Sequence, residues 1–286
     1  MMTPSTPADP ATAFVELLAS RLTGGGIELV AFPETALRLR RVLDDPDSEL
    51  SEVLRLVSAE PVIAARLMKV ANSAAMRTGG AEITDLKRAI VRIGNAVVRN
   101  AVMHFAAQQV AGAVSDPGLR GLVRDAWRHS ARVAAIAYVL AREQNRVNPD
   151  TALLGGLLHD IGRFYILAEL DAHPDLAPDA QAVDDIVRDW HSGVGQAILE
   201  SWDLPEELCQ IAGEHDALER EHFGLPDCLD VVIVANLLEH AGEDTERLQT
   251  FSTLPPMRCV GLDAESGQRL LQRSAKAIES LSAALT

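Results

Sequence analysis

The chain has 286 residues, of which 48% are hydrophobic and 23% charged, and its 26 basic against 41 acidic side chains leave a formal charge of −15. That length holds one large domain or two packed lobes around a sizeable core. Such an acidic balance argues against a general nucleic-acid binder, which needs a basic face to displace the counterions of a polyanion, and no apolar run reaches membrane-spanning length.

Aromatic residues are scarce, at 4%, while Ala and Leu are plentiful. That bias favours helices, because these side chains lose little freedom there. The Pro-, Ser- and Thr-rich stretch 1–10 reads as disordered. It lacks the basic-then-apolar layout of a signal peptide, so the cytoplasm is the expected compartment. Phe14, Leu17, Leu18 and Leu22 then predict a short amphipathic helix ending at Gly24-Gly25-Gly26.

Short helices follow. Leu50, Val53, Leu54 and Val57 share a face; Pro61 suits the first turn of a helix bearing Ile63, Leu67 and Val70. Asn72-Ser73 reads as that helix's C-terminal turn. Thr84 is the expected cap of a helix carrying Leu86, Ile90 and Ile93, which Gly94 breaks before Val98, Ala101, Val102 and Phe105 begin another. Arg88, Arg92 and Arg99 form a local basic stripe, read as a solvated helix face.

Gly112 and the turn Ser115-Asp116-Pro117-Gly118 mark a boundary. The expected organisation is 1–26 as a disordered start and short helix, 27–116 as a first helical lobe, and 117–286 as a second lobe with a C-terminal helix. Longer helices are predicted near 119–144, 150–168, 182–202, 205–216, 226–242 and 264–284. Nothing demands a strand, so the chain reads as all-α. Trp127, Trp190 and Trp202 read as packing anchors. Cys209, Cys228 and Cys259 show no CxxC spacing and read as small buried apolar residues in a reducing compartment.

The second lobe holds the chemistry-bearing groups. His129 shares a helix face with Val133, Ile136 and Leu140, and His191 with Val187, Val194, Ile198 and Trp202. His159-Asp160 lies in GLLHDIGRF, His215 follows Ile211 by one turn, and Asn236 follows Val232 and Ile233 on a face continuing to His240. A lone inward histidine is usually a hydrogen-bonded core residue. Four on successive helices, one beside an aspartate, must meet each other, other polar groups, water or a metal.

At these residues the sequence resembles the HD superfamily of metal-dependent phosphohydrolases, in which a first His, an adjacent His-Asp pair and a late Asp bind the metal. His129, His159 and Asp160 match three of those positions; the fourth is Asn236. His191 and His215 match positions that complete a second metal site in HD-GYP phosphodiesterases. There the usual His-His-Glu is replaced here by Glu214-His215-Asp216, and Gly224-Leu225-Pro226 does not match the Gly-Tyr-Pro signature. The whole-chain resemblance is to the HDOD (HD-related output domain) family. It rests on FPETALRLRRVLDDPDSELSEVLRLVSAEPVIAARLMKVANSA, ITDLKRAIVRIGNAVVRNAV, WRHS, GLLHDIG, HSGVGQAILESWDLPEELCQIAGEH and ANLL, over roughly 28–242.

This resemblance implies a two-lobed helical bundle with an HD-phosphohydrolase-like second lobe and a non-catalytic regulatory role in bacterial signal transduction. A neutral Asn236 is a weaker ligand than Asp and gives a bound ion less anionic support. No catalytic residue is therefore expected at the degenerate site His129, His159, Asp160, His191, His215 and Asn236. No cofactor is implied beyond a weakly bound divalent metal on His129, His159 and Asp160, with His191 and His215 as a second-site or phosphate contact. The implied partners are other signalling proteins, such as a response regulator, a kinase or a cyclic-di-GMP enzyme. Two alternatives stay open: a metal-dependent phosphohydrolase or cyclic dinucleotide phosphodiesterase, and a small-ligand sensor.

Overall fold

A computed structural model of the chain describes residues 10–23, 34–45, 47–77, 82–111, 114–176 and 179–286, and every regular element among them is helical. The first five helices are α1 (Pro10–Thr23), α2 (Glu34–Asp44), α3 (Leu50–Ser58), α4 (Pro61–Asn72) and α5 (Leu86–Ala111). Pro61 opens α4 as expected. The Asn72 side chain does more than close that helix: its Nδ2 donates to the Ile83 carbonyl at 2.8 Å and its Oδ1 accepts from the Ile83 amide at 2.9 Å, pinning the returning chain. The cap of α5 is Asp85 rather than Thr84, because the Asp85 carboxylate accepts from the Arg88 amide at 2.8 Å. Gly94, at φ 77°, kinks α5 where a break is expected. Arg99 is drawn out of the basic stripe by Asp44 at 2.9 Å. Gly24-Gly25-Gly26 and Gly112 lie outside the described residues, as do residues 1–9.

The long helix α6 (Pro117–Gln144) starts where Asp116 accepts from the Gly118 and Leu119 amides. Then come α7 (Pro149–Leu158), α8 (Ile161–Ala172), α9 (Ala180–Ser201), α10 (Glu206–Glu214), α11 (Cys228–Ala241), α12 (Thr245–Phe251), α13 (Pro255–Val260) and α14 (Ala264–Leu285). One buried apolar cluster runs through both halves of the chain. α5 packs on α7 and α8, while α14 spans α6 and α4. The N-terminal α1 buries Phe14 and Leu18, packs on α9 and is tied to α8 by Arg21–Glu169 at 2.7 Å. Cys209 and Cys228 are buried as expected. Cys259 is not fully enclosed, and its thiol donates to Asp230 at 3.4 Å, so it behaves as a polar contact rather than an apolar filler.

The main departure from the sequence reading is at 150–168, predicted as one helix. The structure splits it into α7 and α8 at His159-Asp160. Two glycines flanking that dipeptide explain the break. A Cβ on Gly156 would lie 2.6 Å from the Ala134 Cα, so α7 crosses α6 backbone to backbone. A Cβ on Gly162 would lie 2.0 Å from the His191 carbonyl oxygen, so α8 crosses α9 just as closely. No single straight helix satisfies both contacts, and the chain turns between them. α12 and α13 are short helices that hydrophobic periodicity did not register.

Gly162→Ala therefore forces two helix backbones apart and is expected to cost about 3 kcal/mol or more. Gly193→Ala, on the exposed side of α9 with nothing within 4 Å of the added carbon, is expected to stabilise by about 0.5–1 kcal/mol. Urea denaturation of the two variants beside the parent measures both; equal stability would remove the crossing from the account.

Candidate functional site

Four helices and one turn carry the groups singled out in the sequence. His129 comes from the middle of α6, His159 and Asp160 from the α7–α8 turn, His191 from α9, His215 from the end of α10, and Asn236 from α11. His159, Asp160, His191 and His215 are 0, 2, 2 and 1% exposed, and His129 is half-buried. The structure thus brings together all four histidines and the aspartate singled out in the sequence.

Each imidazole is oriented through its Nδ1. His159 Nδ1 meets the Gly156 carbonyl at 2.8 Å, His191 Nδ1 the Val187 carbonyl at 2.8 Å, and His215 Nδ1 the Ala212 carbonyl at 3.1 Å. His129 Nδ1 meets the Glu239 carboxylate at 2.8 Å. A carbonyl or carboxylate only accepts, so every one of these nitrogens carries its proton and donates it. The four Nε2 atoms are left to face inward. His129 and His159 Nε2 are 3.3 Å apart, and His191 and His215 Nε2 are 3.1 Å apart.

Asp160 stands between the two pairs. Its Oδ2 is 3.9 Å from His129 Nε2 and 3.7 Å from His159 Nε2, while its Oδ1 is 3.5 Å from both His191 and His215 Nε2. Burial alone would raise the Asp160 pKa. The facing imidazoles of His159 and His215 and the Arg163 guanidinium, 3.3 Å away, outweigh it and hold the carboxyl well below its ordinary range. Burial pushes the His159 imidazole down to about 3, against the pull of Asp160. For His191 burial is overcome by the hydrogen bond to Asp216 and the Asp160 charge, and its pKa is raised. Asp216, 3.2 Å from His191 Nε2, is lowered to about 2 by that hydrogen bond.

Three neighbours were not singled out as site residues from the sequence. Glu239 and Asp216 supply carboxylates at the two ends of the cluster, and Arg163 supplies a cation on Asp160. Signals for them existed: Asp216 follows His215 directly, Arg163 lies within the GLLHDIGRF run, and Glu239 stands one helical turn after Asn236. Asn236 is buried on α11, and its Oδ1 meets no hydrogen-bond donor among the described residues. His240, on the same helix, sets its ring at a 33° tilt to that of His129, with centroids 4.9 Å apart, yet leaves most of its own surface exposed.

Paired Nε2 lone pairs at such distances repel unless a proton or cation lies between them. The donor set fits a divalent transition metal. His129, His159 and Asp160 would hold one ion and Asp160, His191 and His215 another, with the two oxygens of Asp160 divided between them. Such an ion, when bound, would polarise a phosphoryl oxygen and acidify water.

The sequence profile of the HDOD domain matches residues 29–218. An uncharacterised protein of Treponema pallidum is 25% identical over 227 residues, 73% of this chain and 42% of that protein, so the chain spans less than half the length of this relative. Among solved structures, a candidate metal-dependent phosphohydrolase of Shewanella amazonensis is 27% identical, with a TM-score of 0.78 over 97% of this chain and 99% of that one. An HDOD domain protein of unknown function from Geobacter sulfurreducens, 23% identical, has a TM-score of 0.68 over 94% and 97% of the two chains. A candidate signal transduction protein of Marinobacter aquaeolei, 19% identical, has a TM-score of 0.60 over 98% and 67%. The last two likenesses concern the fold alone.

The buried cluster makes a pH prediction. The unfolded chain protonates His159 near its ordinary pKa of about 6.5, whereas the folded chain does so only near 3. Its contribution to stability is thus complete above the unfolded value and falls away as the pH drops through that window, by up to about 1.4 kcal/mol per pH unit. Long-range ¹⁵N–¹H NMR of metal-free protein should show His159 as the Nδ1–H tautomer and unprotonated down to about pH 4. An imidazole titrating near neutrality at this position would contradict the geometry.

Proposed function

The chain belongs to the HDOD domain family, and on that premise we propose that it is a regulatory signal-transduction protein that works by binding other proteins, its histidine cluster holding a divalent ion without turnover. The observation that carries this reading is the enclosure of the cluster. A metal hydrolase must lay a phosphoryl oxygen and a water against its ions. Here His159, Asp160, His191 and His215 are all nearly sealed, and the more exposed groups at the rim of the cluster are His129 and Asp216. Those rim positions are already engaged, His129 with Glu239 and Asp216 with His191.

The charge balance of the pocket supports the same conclusion. Asp160 is the one carboxylate at its centre, shared between both triads, and Asn236 offers a neutral oxygen. An ion so held exchanges more readily than one in a fully anionic site. The proposed partners are bacterial signalling proteins, such as response regulators, kinases or cyclic-di-GMP enzymes, met in the cytoplasm. No helix among the described residues is long and apolar enough to cross a membrane. A second reading, a metal-dependent phosphohydrolase, is favoured by the convergence of four Nε2 atoms on Asp160 and by the likeness to the Shewanella protein.

Assays with added Mn²⁺ or Fe²⁺ separate the two. Cyclic dinucleotides and a generic phosphodiester should persist at the buffer rate. Sustained hydrolysis that disappears in Asp160→Ala would put the enzyme first. Calorimetric titration with Mn²⁺ should show reversible binding that is lost in His159→Ala and tightened roughly tenfold in Asn236→Asp, where a carboxylate replaces the amide. Unchanged affinity in that variant would take Asn236 out of the ion's surroundings.

A further inference from the structure

A second site lies away from the histidine cluster. Helix α6 carries arginine at every fourth position from Arg120 through Arg124 and Arg128 to Arg132, a spacing that keeps successive side chains on one side of the helix. In a chain with a formal charge of −15, this is a concentrated cationic surface. It forms one wall of a cavity of about 670 Å³ whose other wall is the end of α5 and the last turn of α14.

The guanidinium groups are only partly engaged by internal partners. Among the described residues neither Arg120 nor Arg124 forms a salt bridge, and Arg120 is close enough to Asp171 to help lower the pKa of that carboxyl. Arg128 pairs only with Asp125, three residues earlier, where both side chains are mostly exposed; such pairs contribute little. Arg132 lies 3.6 Å from Glu239, a carboxylate whose shorter contact is to His129. Self-repulsion among four neighbouring cations is relieved by an anion placed between them.

Between the two walls the cavity is apolar and aromatic. Val123, Trp127 and Leu285 line it. The indole of Trp127 is held rigidly: it stacks on Phe164 with centroids 3.8 Å apart and planes at 14°, and the His104 ring meets it edge-on at 4.9 Å. His104 is fixed in turn by the Leu285 carbonyl at 2.9 Å. A preset aromatic wall beside a row of guanidiniums suits a ligand with both a flat ring and phosphate oxygens. Inorganic phosphate would engage the arginines and leave the wall wet; an apolar molecule would leave the cations uncompensated.

From this arrangement we infer that the cavity between α6, α5 and α14 is a nucleotide site, with the phosphates on Arg120, Arg124 and Arg128 and the base against the wall made by Trp127 and Val123. Its volume lies within the range of pockets that enclose small ligands. The site does not depend on an ion in the histidine cluster, and it gives the domain a soluble anionic ligand in addition to its protein partners.

The test is calorimetry on the full chain at about 0.15 M salt, with EDTA present to keep metal-bound phosphate at the histidine cluster out of the measurement. ATP and GTP should each be tried beside inorganic triphosphate. At least one nucleotide should bind saturably at one per chain, roughly tenfold tighter than triphosphate, with a change in tryptophan fluorescence. The double variant Arg124→Ala/Arg128→Ala, which alters exposed side chains only, should keep its circular dichroism and lose roughly tenfold or more in affinity. The inference is overturned by absence of saturable binding, by triphosphate binding as tightly as the nucleotides, or by full affinity in the folded double variant. None of these results bears on hydrolysis at the histidine cluster, which is measured separately with metal present.

Discussion

Two glycines set the geometry on which the histidine cluster depends. Gly156 lets α7 touch the backbone of α6, and Gly162 lets α8 touch that of α9. The six-residue interval between them contains the His159-Asp160 turn, so two close crossings and one chain reversal are solved together. Close packing leaves no slack in such an arrangement. The position of the Asp160 carboxylate between four imidazoles is a consequence of where the backbones of α6, α7, α8 and α9 are allowed to meet. A side chain at either glycine would displace a helix, and with it one half of the cluster.

Around that carboxylate the polar groups obey one rule: every Nδ1 is tied outward, and every Nε2 is left inward. The outward ties are cheap because they use carbonyls within one turn of the same chain, at Gly156, Val187 and Ala212. Only His129 needs a side-chain partner from another helix, Glu239. The result is a low-dielectric pocket rich in lone pairs, where His159 stays neutral and Asp160 stays charged. Whatever cation or proton occupies it stabilises the folded lobe by mass action. α7, α8 and α10 end at this pocket, while α6 and α9 run past it.

Charge is distributed with the same economy. The chain is strongly acidic overall, yet arginines gather along one face of α6, and Arg132 joins that face to the Glu239–His129 contact. The histidine cluster and the arginine-walled cavity are therefore two faces of a single helix. One face is nearly sealed and gathers groups that could hold a cation; the other is open and presents cations.

Much of this was legible in the amino-acid order. Periodicity of 3.6 placed His129, His191 and His215 on inward faces, marked α6, α9, α10, α11 and α14 and predicted an all-helical chain, because a side chain's face depends only on its own helix. The motifs in order pointed to the HDOD family, and Gly94 announced its kink. The order of residues did not disclose the break at His159-Asp160, since GLLHDIGRF has unbroken helical patterning; the break comes from steric contact with α6 and α9. Nor did it show that Glu239, Asp216 and Arg163 would join the cluster, or that Trp127 and four arginines would share a cavity with α5 and α14. Most of those meetings, such as Glu239 with His129 or Trp127 with His104 and Phe164, link residues far apart in the chain, and only the packing of one helix against another sets the distance between them.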